Sequence, residues 1–212
     1  MSNTALCLTA LLLLIPIFIS YKEGLHIIKD LVVASIRAVV QLLILGLILE
    51  YIFKIDQVWI LLIAVLVIII NASWNTIHRA SPVMHHVFWI SFVSIFISTA
   101  IPLVCAVLAG AIDFKANDVI PIGGMLANNG LIAINLAYQN LDRAFVRDVD
   151  DIESKLTLAA TPKLASKGAI RESIRLAIVP TIDSVKTYGL VSIPGMMTGL
   201  IIGGMAPLQA IK

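Results

Sequence analysis

Charge is what this sequence of 212 residues has least of. Asp, Glu, Lys and Arg make up 13% of it, about half the roughly 25% usual for a soluble globular chain. Hydrophobic residues make up 59%, and the mean hydropathy is +1.00. So little charge cannot cover a water-facing surface, and the chain reads as an integral membrane protein before any motif is considered. Cysteine is scarce too. Cys7 and Cys105 both lie in apolar stretches, which excludes a disulfide framework and a cysteine zinc site. The net charge of +2 gives no reason to expect a nucleic-acid partner. Also missing are HExxH, GxSxG, a paired acid in a recognisable setting, and the GxxxxGK phosphate loop. The chain therefore reads as non-enzymatic and without a cofactor of its own. If ATP drives it, the nucleotide is bound on another subunit.

What is present is a series of long apolar runs that do not alternate as barrel strands do, so the expected fold is all-α. A spanning helix needs about 20 apolar residues. Residues 4–20, 31–50, 58–74, 87–109 and 119–141 qualify as the first five candidates. The first is read as a retained span, because no Lys or Arg precedes it and no small-x-small cleavage site follows. A polar stretch, 142–171, interrupts the pattern. Apolar character returns over 174–205, where Pro180, Pro194 and several glycines make the sixth span a broken or re-entrant one. The whole chain, 1–212, is expected to be a single membrane domain.

Lys and Arg set the orientation. With the N-terminus outside, the inner loops hold ten of the fifteen cations. These are Lys22, Lys29, Arg79, Arg143, Arg147, Lys155, Lys163, Lys167, Arg171 and Arg175. The outer segments hold Lys54, Lys115 and Lys212. The bias places 142–171 in the cytoplasm and leaves Arg37 and Lys186 within apolar segments.

Charge inside a span costs about 2.5–3.5 kcal/mol at the helix centre on insertion scales, so Arg37, Asp183 and Lys186 call for an explanation. Arg37 and Gln41 are four apart and share a helix face; Asp183 and Lys186 are three apart and can pair. One reading is a polar pathway or a gate held by an ion pair. The other is a structural bridge, or snorkelling of the cations to the interface. Asn128, Asn129 and Asn135 follow Gly123, Gly124 and Met125 in the fifth span. Each is either an interhelical hydrogen bond or part of a cavity lining. Asn71, Trp74 and Asn75, at the end of the third span, read as an interface anchor. Metal ligation is open: His78, His85 and His86 fall in a loop, and Met125, Met196, Met197 and Met205 offer thioethers that serve equally as helix-contact filler.

The segment 153–165 reads Glu-Ser-Lys-Leu-Thr-Leu-Ala-Ala-Thr-Pro-Lys-Leu-Ala. Thr161 and Pro162 suit the N-cap and first position of a helix, and 148–160 suits a short helix before it. Two helices at a tight corner resemble the coupling element of ABC-transporter permeases, whose signature has Glu, then Gly six residues later, then Pro some 13 further on. Glu153 fits, Ala159 stands in the Gly position, and Pro180 comes too late. A closer similarity covers nearly the whole chain. Arg37-Ala-Val-Val-Gln-Leu, Asn71-Ala-Ser-Trp-Asn, Val119-Ile-Pro-Ile-Gly-Gly-Met, Leu156-Thr-Leu-Ala-Ala-Thr-Pro and the run 178–199 resemble the FetB-type ABC transporter permease family. That family comprises iron exporters of bacteria similar to plant aluminium-tolerance membrane proteins. It typically has Gly at the position of Ala159 and Gly-Asn at that of Asn128-Asn129. Its members continue past the position of Lys212 with another transmembrane helix, of which 207–212 looks like the start.

The resemblance implies the transmembrane subunit of an ABC exporter in the bacterial inner membrane. It would work as a homodimer with a separate ATPase carrying ATP, and iron or another metal ion would be the exported substrate. Glu153, Ala159, Ala160, Thr161 and Pro162 would contact the ATPase. Arg37, Gln41, Asn129, Asn135, Asp183, Lys186 and the break at Pro194, Gly195, Met196 and Met197 would form the pathway or gate, since broken helices are tolerated where they line a cavity. The alternatives are an ATPase-independent, gradient-driven transporter or channel with Asp183 as carrier, or a non-transporting scaffold.

Overall fold

Apolar length and the placing of Gly and Pro decide most of the secondary structure. The computed structural model describes residues 14–24, 28–52, 57–79, 84, 86–189 and 195–210. Among these the regular elements are all helices: α1 (Leu14–Lys22), α2 (Ile28–Ile52), α3 (Val58–Ile77), α4 (Val87–Leu108), α5 (Ala116–Arg147), α6 (Val149–Thr157), α7 (Pro162–Ala165), α8 (Lys167–Thr187), α9 (Gly195–Ile202) and α10 (Pro207–Ala210). Among the described residues four helices are long and apolar enough to cross a membrane: Leu31–Ile52 within α2, and α3, α4 and α5. They match four of the six expected spans. Residues 4–20 lie mostly outside the described residues. The stretch 174–205 is met as two helices, of which α8 carries six charged residues and α9 is only 8 residues long.

The chain divides into two compact units, Met1–Ile60 and Leu61–Lys212. The first holds α1 packed on α2. None of the apolar window of α2 is buried within the chain, so its Val, Ile and Leu side chains are left for lipid.

In the second unit α3, α4 and α5 enclose the core. Ile69 and Ala72 of α3 meet Ile95 of α4 and Ala127 of α5, with Val65, Ile68, Phe92, Leu131 and Ile134 around them. A second cluster joins Leu61, Leu103 and Val119. Small residues let the backbones approach, as is usual between membrane helices. A Cβ on Gly130 would lie 2.7 Å from Ser98 Oγ and 3.8 Å from Ile95 Cα. The buried residues of α4 are Val87, Ser91, Ile95, Thr99 and Leu103. They repeat every four residues and so form one stripe. At one end of α4 the rings of Trp74, Phe88, Trp89, Phe92 and Phe96 adjoin in sequence, centroids 5.5–6.2 Å apart.

The fifth apolar run is longer than its hydropathy suggests. At 1.5 Å per residue the 32 residues of α5 reach about 48 Å, against about 30 Å of hydrocarbon. No Gly or Pro follows Gly130 in this helix, so nothing stops it at Leu141. It continues through Asp142 and Arg143 to Arg147, and the polar segment begins as an extension of the span. Packing then returns along α8. Its buried residues Ala169, Ser173 and Ala177 extend the line of buried Ala165, and this small-residue stripe lets α8 lie closely against α5.

Candidate functional site

The corner between α6 and α7 is built by a specific backbone motif. The short helix α6 has Asp150 and Asp151 in its first turn and Lys155 in its last, which complements the helix dipole. Lys155 also pairs with Asp151 one turn back. The helix ends when the Ala159 N–H donates to Leu156 O at 3.0 Å and the Ala160 N–H to Lys155 O at 3.0 Å. These two bonds form a Schellman motif, which requires a left-handed residue between them, and that residue is Ala159 with φ 63°. The same motif ends α4, where Gly110 has φ 68° and Ala111 N–H donates to Ala106 O at 3.0 Å. It also ends α9, with Gly204 at φ 97° and Met205 N–H bonded to Leu200 O at 3.0 Å. Two of the three motifs use glycine, and the corner uses alanine.

Beyond the turn, Thr161 is the N-cap of α7 and Pro162 its first residue. Thr161 caps by backbone position alone, since its side chain makes no capping hydrogen bond. The Leu164 and Ala165 N–H groups both donate to Thr161 O at 2.9 Å. Glu153, Thr161 and Pro162 are exposed and Ala160 is half-buried. The five residues expected at an ATPase contact thus lie on one short helix–turn–helix. Its tip presents Leu158, 82% exposed. Upstream, Arg147 Nε and Nη2 donate to the two Asp148 carboxylate oxygens at 2.7 and 3.0 Å. These bonds hold the Asp148 carboxyl below its usual range, against a smaller opposing effect of desolvation.

The expected pathway residues fall in both units. Arg37 and Gln41 are exposed on α2, in the first unit. On α5, Asn129 is exposed and Asn135 half-buried; six residues apart, they lie about 120° apart around the helix. The Asn135 Oδ1 is buried without a hydrogen-bond partner. Asp183 and Lys186 pair within α8, Lys186 Nζ lying 3.4 Å from Asp183 Oδ1. Both side chains are largely exposed. Gly195 opens α9 and Met197 is half-buried. Pro194 and the side chain of Met196 lie outside the described residues.

The profile of a family described as "Uncharacterised protein family (UPF0014)" matches residues 3–212. The chain belongs to the UPF0014 family. The Escherichia coli (strain K12) protein named "Probable iron export permease protein FetB" is 44% identical over 211 residues, 100% of this chain and 81% of the relative. "UPF0014 membrane protein YjkA" of Bacillus subtilis (strain 168) is 34% identical over 214 residues, 100% of this chain and 84% of the relative. "Protein ALUMINUM SENSITIVE 3" of Arabidopsis thaliana is 30% identical over 199 residues, 94% of this chain and 72% of the relative. The resemblance read from the motifs therefore holds at the level of the family. No solved structure matches with significance.

Reading this UPF0014 chain for charge alone overlooks a polar tie across three helices. Thr76 Oγ1 of α3, which donates to Ser73 O at 2.7 Å, lies 2.8 Å from Ser91 Oγ of α4. Ser91 Oγ lies 3.1 Å from Tyr138 OH of α5. Thr76 and Ser91 are fully buried, so these bonds satisfy hydroxyls that water cannot reach. Ser91 and Thr99 recur at the four-residue spacing of the buried stripe of α4, but only packing shows which hydroxyl meets a partner. Of the expected anchor, Asn71, Trp74 and Asn75 are all exposed, and Asn75 Nδ2 donates to Asn71 Oδ1 at 3.1 Å. Among the loop histidines, His78 and His86 are exposed and His85 lies outside the described residues. Among the described residues no three His, Cys, Asp or Glu side chains converge. A cavity of about 460 Å³ lies between α3, α4 and the start of α5, walled by residues such as Leu61, Leu66, Ile69, Phe96, Leu103 and Val119. With so apolar a lining it offers nothing to a hydrated cation.

Proposed function

We propose that this chain is the membrane permease subunit of an ABC exporter, with a separate ATPase subunit supplying ATP hydrolysis and a metal ion, iron foremost, as the exported substrate. The observation that carries this reading is the α6–α7 corner. A hydrogen-bonded turn presents Leu158 at its tip, flanked in sequence by exposed Leu156 and Leu164, and an exposed apolar cluster suits a protein partner. The corner connects directly to two long helices. α6 follows α5 across the single residue Asp148, and α7 meets α8 across Ser166. A push on the tip would therefore reach α5 and α8 as a pair, because the Ala165–Ala177 stripe packs them together.

In this reading the chain crosses a bacterial inner membrane six times, starting outside, with the corner in the cytoplasm. Glu153, Ala159, Ala160, Thr161 and Pro162 face the ATPase. Arg37, Gln41, Asn129, Asn135, Asp183, Lys186 and the break at Pro194–Met197 belong to the pathway or gate. A hard divalent cation prefers several oxygen ligands, and Asp183 is the one acid of this set. A homodimer supplies a second Asp183, and that is the chemical argument for pairing two permeases. The iron export name of the Escherichia coli relative supports the choice of substrate.

The test is to reconstitute the chain with a candidate ABC ATPase subunit and measure ATP hydrolysis. Wild type should stimulate turnover, and Leu158→Asp should abolish stimulation while leaving the permease folded. If neither form changes ATP hydrolysis, the ABC reading fails, and the gradient-driven carrier with Asp183 at its centre takes its place.

A further inference from the structure

Of the seven cations from Arg143 to Arg175, three have an acid beside them. Arg147 pairs with Asp148, Lys155 with Asp151, and Arg175 with Glu172. Lys163, Lys167 and Arg171 do not: among the described residues none of the three makes an ion pair, and all three are exposed. They stand four residues apart, so they form a single stripe. Ser166, between α7 and α8, is itself in the right-handed helical region at φ −86°, ψ −3°, so the register carries through.

The three cations border an open groove of about 630 Å³, whose lining also includes Leu164, Ile170 and Ile174. This face lies away from the bundle. The buried stripe Ala165, Ala169, Ser173 and Ala177 is offset from the cations by two residues, about 200° around the helix. Above the cations the apolar track continues. Ile170, Ile174, Ile178 and Ile182 are all exposed and again stand four apart. From Ile170 to Ile182 the helix rises about 18 Å, close to the roughly 15 Å of one leaflet of hydrocarbon.

We propose that this face of α7 and α8 is a binding site for an anionic phospholipid, its phosphate among Lys163, Lys167 and Arg171 and an acyl chain along Ile170, Ile174, Ile178 and Ile182. Charge complementarity selects the headgroup, and the isoleucine track distinguishes a lipid from a free phosphate, which would gain nothing from it. The site is independent of the ATPase reading: it requires only that the chain lie in a bilayer.

The experiment is native mass spectrometry of the detergent-purified chain titrated with phosphatidylglycerol, phosphatidylcholine or glycerol phosphate. Phosphatidylglycerol should bind and the other two should bind far more weakly. Each cation near a lipid surface contributes about five-fold in affinity. The triple variant Lys163→Gln, Lys167→Gln, Arg171→Gln should therefore weaken phosphatidylglycerol by roughly a hundred-fold and leave phosphatidylcholine unchanged. All three residues are exposed, so the fold should survive, and an unaltered thermal transition checks this. Lys155→Gln, which removes a paired cation, should leave lipid binding as in wild type. The proposal is overturned if the triple variant retains phosphatidylglycerol, or if glycerol phosphate binds as well as the lipid. It is equally overturned if the triple variant loses the ATPase while keeping the lipid, which would make this face a protein-docking surface.

Discussion

Replacing Ala159 by glycine should stabilise the α6–α7 corner, and the size of the gain follows from the backbone. Ala159 sits at φ 63°, where an L-residue with a Cβ pays about 1–2 kcal/mol. Glycine removes that cost but loses about 0.5–1 kcal/mol of chain entropy on ordering. The net gain is on the order of 0.5–1 kcal/mol, or about a two- to five-fold shift in the local opening equilibrium. The Ala160 amide reports it directly, because its bond to Lys155 O at 3.0 Å exists only while the motif is closed. Hydrogen exchange of that amide in the full chain, followed by mass spectrometry, should slow by the same factor. The chain contains its own reciprocal control. A Cβ on Gly110 or Gly204 would meet nothing within 4 Å, so Gly110→Ala and Gly204→Ala test conformation without packing. Each should speed exchange of the following residue's amide by a similar factor. If Ala159→Gly exchanges as fast as wild type while the two reciprocal changes are silent, left-handed strain does not govern these turns.

Removing the middle of the polar tie with Ser91→Ala should cost about 1 kcal/mol, at the roughly 0.6 kcal/mol typical of a hydrogen bond between membrane helices. A cycle with Tyr138→Phe, read by thermal unfolding in detergent, should show the two changes to be non-additive. At Gly130, alanine should be nearly neutral, because the Ser98 hydroxyl can swing away and alanine favours the helix. Gly130→Leu should cost about 1–3 kcal/mol by overpacking against Ile95, and Ser98→Ala should restore little of it. The depressed carboxyl of Asp148 stabilises the folded form above its unfolded value, near 3.8. That contribution should disappear as pH falls below this value through the lower folded one. Exchange of the Ile152 amide, which donates to Asp148 O at 3.0 Å, should accelerate over that window in wild type and lose this step in Asp148→Asn.

The parts of the fold set by apolar length were legible in the residues. The runs at 31–50, 58–74 and 87–109 became α2, α3 and α4 with their ends displaced by a few residues, because a helix in lipid has little choice about where it stays apolar. The corner was legible in part, for a different reason. Thr161 and Pro162 mark a helix start whatever surrounds them, but the helix expected over 148–160 ends at Thr157, a stop that Leu-Ala-Ala, with no turn signal of its own, does not announce. The far end of α5 was not legible, since hydropathy falls at Asp142 while the backbone has no cause to stop. The polar tie was hidden as well. Ser and Thr in an apolar run are often bonded to their own helix, as Ser73 is to Ile69 O at 2.7 Å, and only the neighbouring helices reveal that Thr76 and Ser91 reach each other. Among the pathway candidates, sequence separation alone could not show that Asp183 and Lys186 stay paired on an exposed face of α8.

Alanine at the corner also bears on how motion would pass through the molecule. A transmitting element must be stiff where it is pushed and free to move where it meets its surroundings. The Schellman turn supplies stiffness by satisfying the last carbonyls of α6 with two backbone bonds that need no side chain. Ala159 gives back part of that stiffness as strain, so the turn opens more readily than a glycine turn would. The α5–α8 pair beyond it is packed through small residues, the close contact through which a push on the corner would have to pass. If the corner is the point of drive, Ala159→Gly should tighten coupling between ATP hydrolysis and movement of α8, even though it touches no partner. Spin labels on α5 and α8 of the reconstituted pair would show this as a larger nucleotide-dependent displacement per ATP consumed. An unchanged displacement would mean that the turn already transmits fully and that its strain has no mechanical consequence.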